Sequence, residues 1–246
     1  MIHFVAVVHE VNEASGTRAR RRAETTERIV ESALRVVTEE GFDALTMKRL
    51  ADELGYAAGA LYRYYPSKDE LLLAVQRRVL EALAEDLGEA ERSARAAIAR
   101  GRSVPAAVAA LTPLLAAVRA YVTLPERRPA HWLLLARWMG NPEPMVATDV
   151  AGPVLASLLA LFAPISALFE AAAGGGALAP GDGPPRVLAL EAALHGALAL
   201  RKLDRFGVDA LRQEPLVDEL CRALFVGWGA TDETFADAWR RAKKIL

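Results

Sequence analysis

The stretch LTMKRLADELGYAAGALYRYYPSKDELL, residues 45–72, decides the fold. Thr46 is a helix N-cap residue, and Met47, Leu50, Ala51 and Leu54 fall on one face of the helix it opens, which Gly55 ends. A second short helix starts near Ala57 and runs through Leu61 and Tyr62; Pro66 closes it because the residue before a proline disfavours helix. Ser67 caps a longer helix whose first turn holds Asp69 and Glu70, the sign that suits a helix N-terminus, and whose stripe is Leu71, Leu72, Val75, Val79 and Leu83. Two helices of about two turns or fewer are not stable alone, so they must pack on neighbours. A glycine turn between them makes a helix-turn-helix, whose second helix fits the width of a DNA major groove.

Upstream, Ile29, Ala33 and Val37, with Val30 and Leu34 alongside, form the i, i+4 rows of an amphipathic helix over 23–40, which Gly41 ends. Before it, residues 12–22 carry Arg18, Arg20, Arg21 and Arg22 without apolar periodicity, which predicts a flexible basic arm, and Met1–Val11 reads as a tail without the basic start and cleavage site of a secretory leader. Beyond Ala84 the chain turns alanine- and leucine-rich, with no alternating β-branched runs. Helices are predicted over 85–100, 104–122, 129–139, 142–173, 185–204, 214–228 and 232–244, with a loop at Gly174–Pro185. The expected organisation is all-α: an arm over 1–23, a three-helix helix-turn-helix domain over 24–84, and a helical bundle over 85–246.

Composition narrows the function. Across 246 residues, 30 Lys plus Arg oppose 31 Asp plus Glu, so attraction to nucleic acid must come from local clustering and not from net charge. One cysteine, Cys221, supplies neither an internal disulfide nor a cysteine-rich zinc site, which fits a reducing cytoplasm. Val150–Phe169 lacks charge over 20 residues, but Pro153 and Pro164 interrupt it and acids flank it; it reads as a bundle helix and not a membrane span. No phosphate loop or nucleophile motif is present, so no enzyme and no cofactor are expected. Glu191 and His195 share a helix face, half of a metal site at most, and no metal is expected.

The capped helix, turn glycine, Leu61-Tyr62 pair, Tyr64-Tyr65 pair and Lys68, at these offsets, resemble the amino-terminal domain of TetR-type transcriptional repressors over residues 24–84. The resemblance implies that Thr46, Tyr62, Tyr64 and Lys68 grip the DNA backbone while Lys48 and the segment with Ala58, Gly59, Ala60 and Arg63 face base edges. It also implies a homodimer on a roughly palindromic operator, half-sites about 34–36 Å apart or a multiple of that, and a second domain that binds a small effector.

The residues carry chemistry of their own. Thr46 joins a hydroxyl to free backbone N–H groups, Gly59 lets a helix approach a duplex closely, and Lys48 and Arg63 are candidates for guanine edges. Arg18–Arg22 would suit a minor groove or serve as a solubilising tail. Ala57, Ala58 and Ala60 depart from the hydroxyl and amide side chains of related proteins and leave few polar readers, since alanine touches only a thymine methyl.

In the second domain the residue types suited to a pocket are His131, Trp132, Trp138, Met139, Met145, Phe162, Phe169 and His195, each of which also serves ordinary cores. Leu188, Leu194, Leu198, Leu216, Leu220, Leu224 and Trp228 are candidates for a dimer contact. The expectation is a cytoplasmic repressor relieved by a small apolar or aromatic molecule. Its competitors are a helical ligand-binding or interaction protein with degenerate DNA reading, and a DNA-binding dimer that ignores effectors.

Overall fold

The structure, a computed structural model, describes residues 2–101, 103–141 and 152–245, the side chains of 2–16, 58, 153, 154 and 210 excepted. Eleven α-helices are present among these residues, and the chain divides into two compact units, Met1–Arg78 and Val79–Leu246.

The first unit opens with α1 (Ile2–Glu40). The stretch read as a flexible arm is helical here. Ala, Arg and Glu are good helix formers, and the helix supports itself without an apolar face through the Arg20–Glu24 pair at 2.9 Å and the Thr25 and Thr26 hydroxyls donating to the Arg21 and Arg22 carbonyls. Further on, Ile29, Ala33 and Val37 form a fully buried stripe. Gly41 leaves the helix at φ 87°, and a 3₁₀ turn over Phe42–Ala44 leads to α2 (Met47–Leu54). The Thr46 side chain accepts from the Arg49 N–H at 3.0 Å, capping α2. At the other end Gly55 takes the left-handed conformation, φ 68°, that lets the Tyr56 N–H reach the Ala51 carbonyl at 2.8 Å.

The helix expected to run through Tyr62 and close at Pro66 is a single turn, α3 (Ala58–Leu61), and gives way earlier to a turn over Tyr62–Tyr64 with the Tyr65 N–H bonded to the Leu61 carbonyl. Leu45, Leu50, Leu61 and Leu71 are fully buried, which fixes both short helices; each such leucine contributes about 1.5–3 kcal/mol. Ser67 caps α4 (Lys68–Arg100) by accepting from the Glu70 N–H. Two helices were expected where this one runs: nothing between Lys68 and Arg100 is a proline, and Gly88 does not interrupt it. The compact units part at Arg78 and Val79, inside α4, and not at 84.

In the second unit, α5 (Ala106–Val122) is the buried axis, with Leu111 to Val118 all out of solvent. Around it lie α6 (Leu124–Arg127), α7 (Pro129–Gly140), α8 (Gly152–Gly174), α9 (Gly183–Leu200), α10 (Gln213–Gly227) and α11 (Asp232–Ala242). The start of the predicted 142–173 helix, and Met145, fall outside the described residues. The predicted 185–204 helix gives way to 3₁₀ turns over Arg201–Phe206 and Asp209–Leu211. Pro113 in α5 and Pro164 in α8 each remove one internal hydrogen bond. Asp86 of α4, almost wholly buried, accepts two hydrogen bonds from Arg128 at 2.8 and 3.0 Å, tying α4 to the start of α7. Phe169, Phe225, Trp228, Phe235 and Trp239 form an aromatic chain with neighbouring ring centroids 5.2–6.1 Å apart.

One face of this unit is apolar and open. Leu155 and Leu159 on α8 are both 58% exposed, Ala163 and Ala167 continue their row, and Leu188, Ala192 and Ala199 face outward on α9. The dimer candidates sort differently: Leu194 and Leu198 are buried in the unit's own core, and Leu216, Leu220, Leu224 and Trp228 pack against it because their side of α10 faces inward, so of that set Leu188 is the one strongly exposed. By length and composition Leu155–Gly174 could cross a membrane, and only 22% of its most apolar window is buried within this chain.

Candidate nucleic-acid interface and effector cavity

The helix-turn-helix is held from behind by charge. Arg49 on α2 bonds the Glu40 carboxylate on α1, Nε to Oε1 at 2.9 Å, and Glu53 at 2.8 Å, and Glu53 also accepts from Arg35 at 3.1 Å. These hydrogen bonds raise the Arg49 pKa and lower that of Glu53. Arg49 is therefore committed to the scaffold, while its neighbour Lys48 is exposed.

Around α3 the side chains divide by direction. Leu61 and Tyr65 are buried, Tyr62 is 49% exposed, Tyr64 is half-buried, and Gly59, Arg63 and Lys68 are exposed, with Ala60 between. The side chain of Ala58 lies outside the described residues. A methyl group built at Gly59 would meet nothing within 4 Å, so the fold does not require glycine there. Thr46 is exposed, and its oxygen's bond to the Arg49 N–H leaves its own O–H to donate elsewhere.

Sequence reasoning gave Arg22 to a loose arm, but its position on α1 puts it in the site. Its Nη2 donates to the Arg63 carbonyl at 3.1 Å, and its guanidinium lies 5.5 Å from the centre of the Tyr64 ring. It thus steadies the turn that follows α3, a role that a separation of 41 positions hides from any local pattern.

The second unit has a partly open apolar cavity of about 60 Å³ between α4, α5, α8 and α9. Leu83 and Leu87, Leu114, Ala117 and Val118, Leu161, Phe162 and Ile165, and Val187, Leu190 and Leu194 line it, and the polar side chains on its wall are Tyr121 and Glu191. The Tyr121 hydroxyl donates to Glu191 Oε1 at 2.7 Å and lies 3.4 Å from His195 Nδ1. Burial pushes the Glu191 carboxyl above its usual range, and burial with the neighbouring carboxylate keeps the Tyr121 hydroxyl neutral; burial lowers the His195 pKa.

Of the seven residues in the described part of the expected pocket set, Phe162 lines this cavity. His195 stands behind Tyr121 against the Trp132 ring, 5.2 Å centre to centre, and Phe169 belongs to the aromatic chain. His131 and Trp138 are half-buried on α7, and Met139 is exposed. Among the described residues no cluster of three or more His, Cys, Asp or Glu side chains could hold a metal ion.

A capped helix, a left-handed glycine turn and a second helix with an open face place the first unit in the helix-turn-helix class. Residues 29–75 match the model of the bacterial regulatory proteins of the tetR family. The HTH-type transcriptional repressor DrrR1 of Streptomyces coeruleorubidus is 46% identical over 55 residues, 22% of this chain and 20% of that one. The chain spans about a fifth of DrrR1 and about a third of further curated relatives. Solved structures share the all-α fold over most of the chain. A transcriptional regulator from Saccharomonospora viridis in complex with choline has a TM-score of 0.59 at 17% identity, over 85% of this chain and 98% of that one. RolR in complex with resorcinol has 0.58 at 15% identity, over 92% and 96%.

Proposed function

We propose that the protein is a cytoplasmic, homodimeric transcriptional repressor that binds a roughly palindromic operator and leaves it when a small molecule enters the second unit. The observation that carries the DNA reading is the outward face of α3 and its turn: exposed Tyr62 and Arg63, with exposed Lys48 and Lys68, held by a buried Leu45–Leu50–Leu61 scaffold. Thr46, Tyr62, Tyr64 and Lys68 would hold phosphates, and Lys48 and Arg63 would meet base edges beside Ala58, Gly59 and Ala60. Arg18, Arg20 and Arg21, exposed on α1, add local positive charge that the whole chain lacks.

The open α8 and α9 face supports the dimer. The exposed Leu155, Leu159, Ala163 and Ala167 on α8 and Leu188 and Ala192 on α9 carry no charge, which suits packing of the same two helices from a second copy about a two-fold axis. That copy, and not a bilayer, would cover the apolar side of α8. The cavity supports the effector reading. At about 60 Å³ it is smaller than the roughly 150 Å³ that accommodates benzene, so entry of an effector requires α5 or α8 to yield. Pro113 and Pro164, each beside residues of the cavity wall, are where those helices yield most cheaply. The same tightness favours, as a second reading, a DNA-binding dimer without effector.

Gel shift with the promoter region beside the protein's own gene, against random duplex, tests the operator claim; equal affinity for both overturns it. A compound panel read by thermal melting tests the effector claim, since a molecule that binds only the folded chain raises its melting temperature. No shift across neutral, anionic and cationic classes overturns it in favour of the second reading. Light scattering tests the dimer, and a monomer at all concentrations refutes it.

A further inference from the structure

We propose that the cavity is built for a lipophilic cation: an ammonium group on an apolar or aromatic body, its charge held by the Glu191 carboxylate. This specifies the effector of the function proposed above and rests on that reading. The wall is apolar except at one end, where Glu191 and Tyr121 meet. A carboxylate offers about four acceptor positions, and the Tyr121 hydroxyl fills one of them at 2.7 Å. His195 Nδ1 is 3.8 Å from Glu191, too far for a hydrogen bond, and among the described residues no Lys or Arg lines the cavity.

A carboxylate this withdrawn from water, its side chain 18% exposed, needs a cation or a proton. Among the described residues no Lys or Arg on the wall supplies the first, and burial shifts Glu191 toward the second. A cationic guest reverses that balance, whereas a neutral hydroxyl leaves the charge uncompensated and an anion meets repulsion. Tyr121 and Phe162 are also among the lining residues, and aromatic rings attract an ammonium ion.

The geometry also fixes a pH dependence. Among the described residues the ionisable groups facing Glu191 are Tyr121 on α5 and His195 on its own helix; α4 and α8 present only apolar side chains to the cavity, and Trp132 of α7 faces His195. Tyr121 stays neutral across the working range. A cation binds the ionised carboxylate and so releases a proton from any Glu191 that held one. Affinity therefore rises with pH through the raised Glu191 pKa and then levels. Protonation of His195 at low pH, below the ordinary histidine value, acts in the same direction by repelling the guest.

The test is calorimetric titration of the full chain at pH 5–8 with 2-phenylethylammonium and with 2-phenylethanol, two probes of one shape. Alkylammonium groups titrate near 10, so the first keeps its charge throughout. The amine is expected to bind about tenfold or more tightly than the alcohol at pH 7.5. Glu191→Gln is expected to cut amine affinity about thirtyfold, leave the alcohol within about threefold, and flatten the amine's pH profile. Tyr121→Phe keeps the carboxylate and is expected to retain amine binding, which guards against a Gln variant that fails to fold.

Alcohol binding as tight as the amine's, amine affinity unchanged in Glu191→Gln, or no amine binding at all overturns the proposal. In the first case, or where neutral or anionic compounds raise the melting temperature, the effector reading stands and only the cation is refuted.

Discussion

Replacing Gly59 by alanine separates folding from DNA binding, because the structure assigns the two effects opposite signs. Gly59 lies inside α3 without a positive φ, and an added methyl would meet nothing within 4 Å. The substitution removes backbone freedom from the unfolded chain and adds helix propensity, so it should stabilise the first unit by about 0.5–1 kcal/mol. In a domain of this size that is a rise of about 2–8 °C in melting temperature, read by circular dichroism. If α3 lies against base pairs at Gly59, the same methyl intrudes on a packed contact, and overpacking of that kind costs about 1–3 kcal/mol. Operator affinity, read by fluorescence anisotropy, should then fall about 5- to 150-fold. A stabilised variant with undiminished operator affinity would refute the close approach, and a destabilised one would refute the open space around Gly59.

Lys68→Ala should weaken binding to operator and random DNA alike and lower the slope of log affinity against log salt by about one; an unchanged slope removes Lys68 from the phosphate contacts. Lys48→Ala and Arg63→Ala should relax base preference more than they weaken non-specific binding, and equal losses on both kinds of duplex would refute base reading. Asp86→Ala leaves Arg128 without its bidentate partner and should destabilise the second unit by about 2–4 kcal/mol in urea melts; a loss under 1 kcal/mol would mean that the pair contributes little. Cys221 is fully buried and its thiol pKa is pushed up to about 12, so Ellman's reagent should find no reactive thiol in the folded chain at pH 8 and one after unfolding. Rapid labelling of the native protein would contradict that burial.

Residues 45–72 were legible because each signal acts within a few positions: Thr46 on Arg49, Gly55 on Ala51, Ser67 on Glu70. Burial followed the stripe of Ile29, Ala33 and Val37 for the same reason. The helix through Arg18–Arg22 was not legible, since a solvated helix and an unfolded basic tail share one composition, and the bonds from Arg20 to Glu24 and from Arg22 to Arg63 are what set them apart. Nor was the cavity. Choosing its wall by residue type favoured large aromatics, but Phe169 and Trp228 fill the core with one another, and the wall is mostly leucine, valine and isoleucine from four helices. The Glu191–His195 spacing was the available clue, and Tyr121, 70 residues before Glu191, gives that pair its meaning.

The two prolines beside the cavity bear on what the protein can tell apart. Two of its four walls, α5 and α8, each lack a rung, so in the function proposed above bulk and outline would be poor grounds for rejecting a guest. Discrimination would fall instead to the polar pair on the wall, Glu191 with Tyr121. Molecules with unrelated skeletons but the same charged head would be equivalent to such a sensor, and near-identical skeletons that differ only at the head would not.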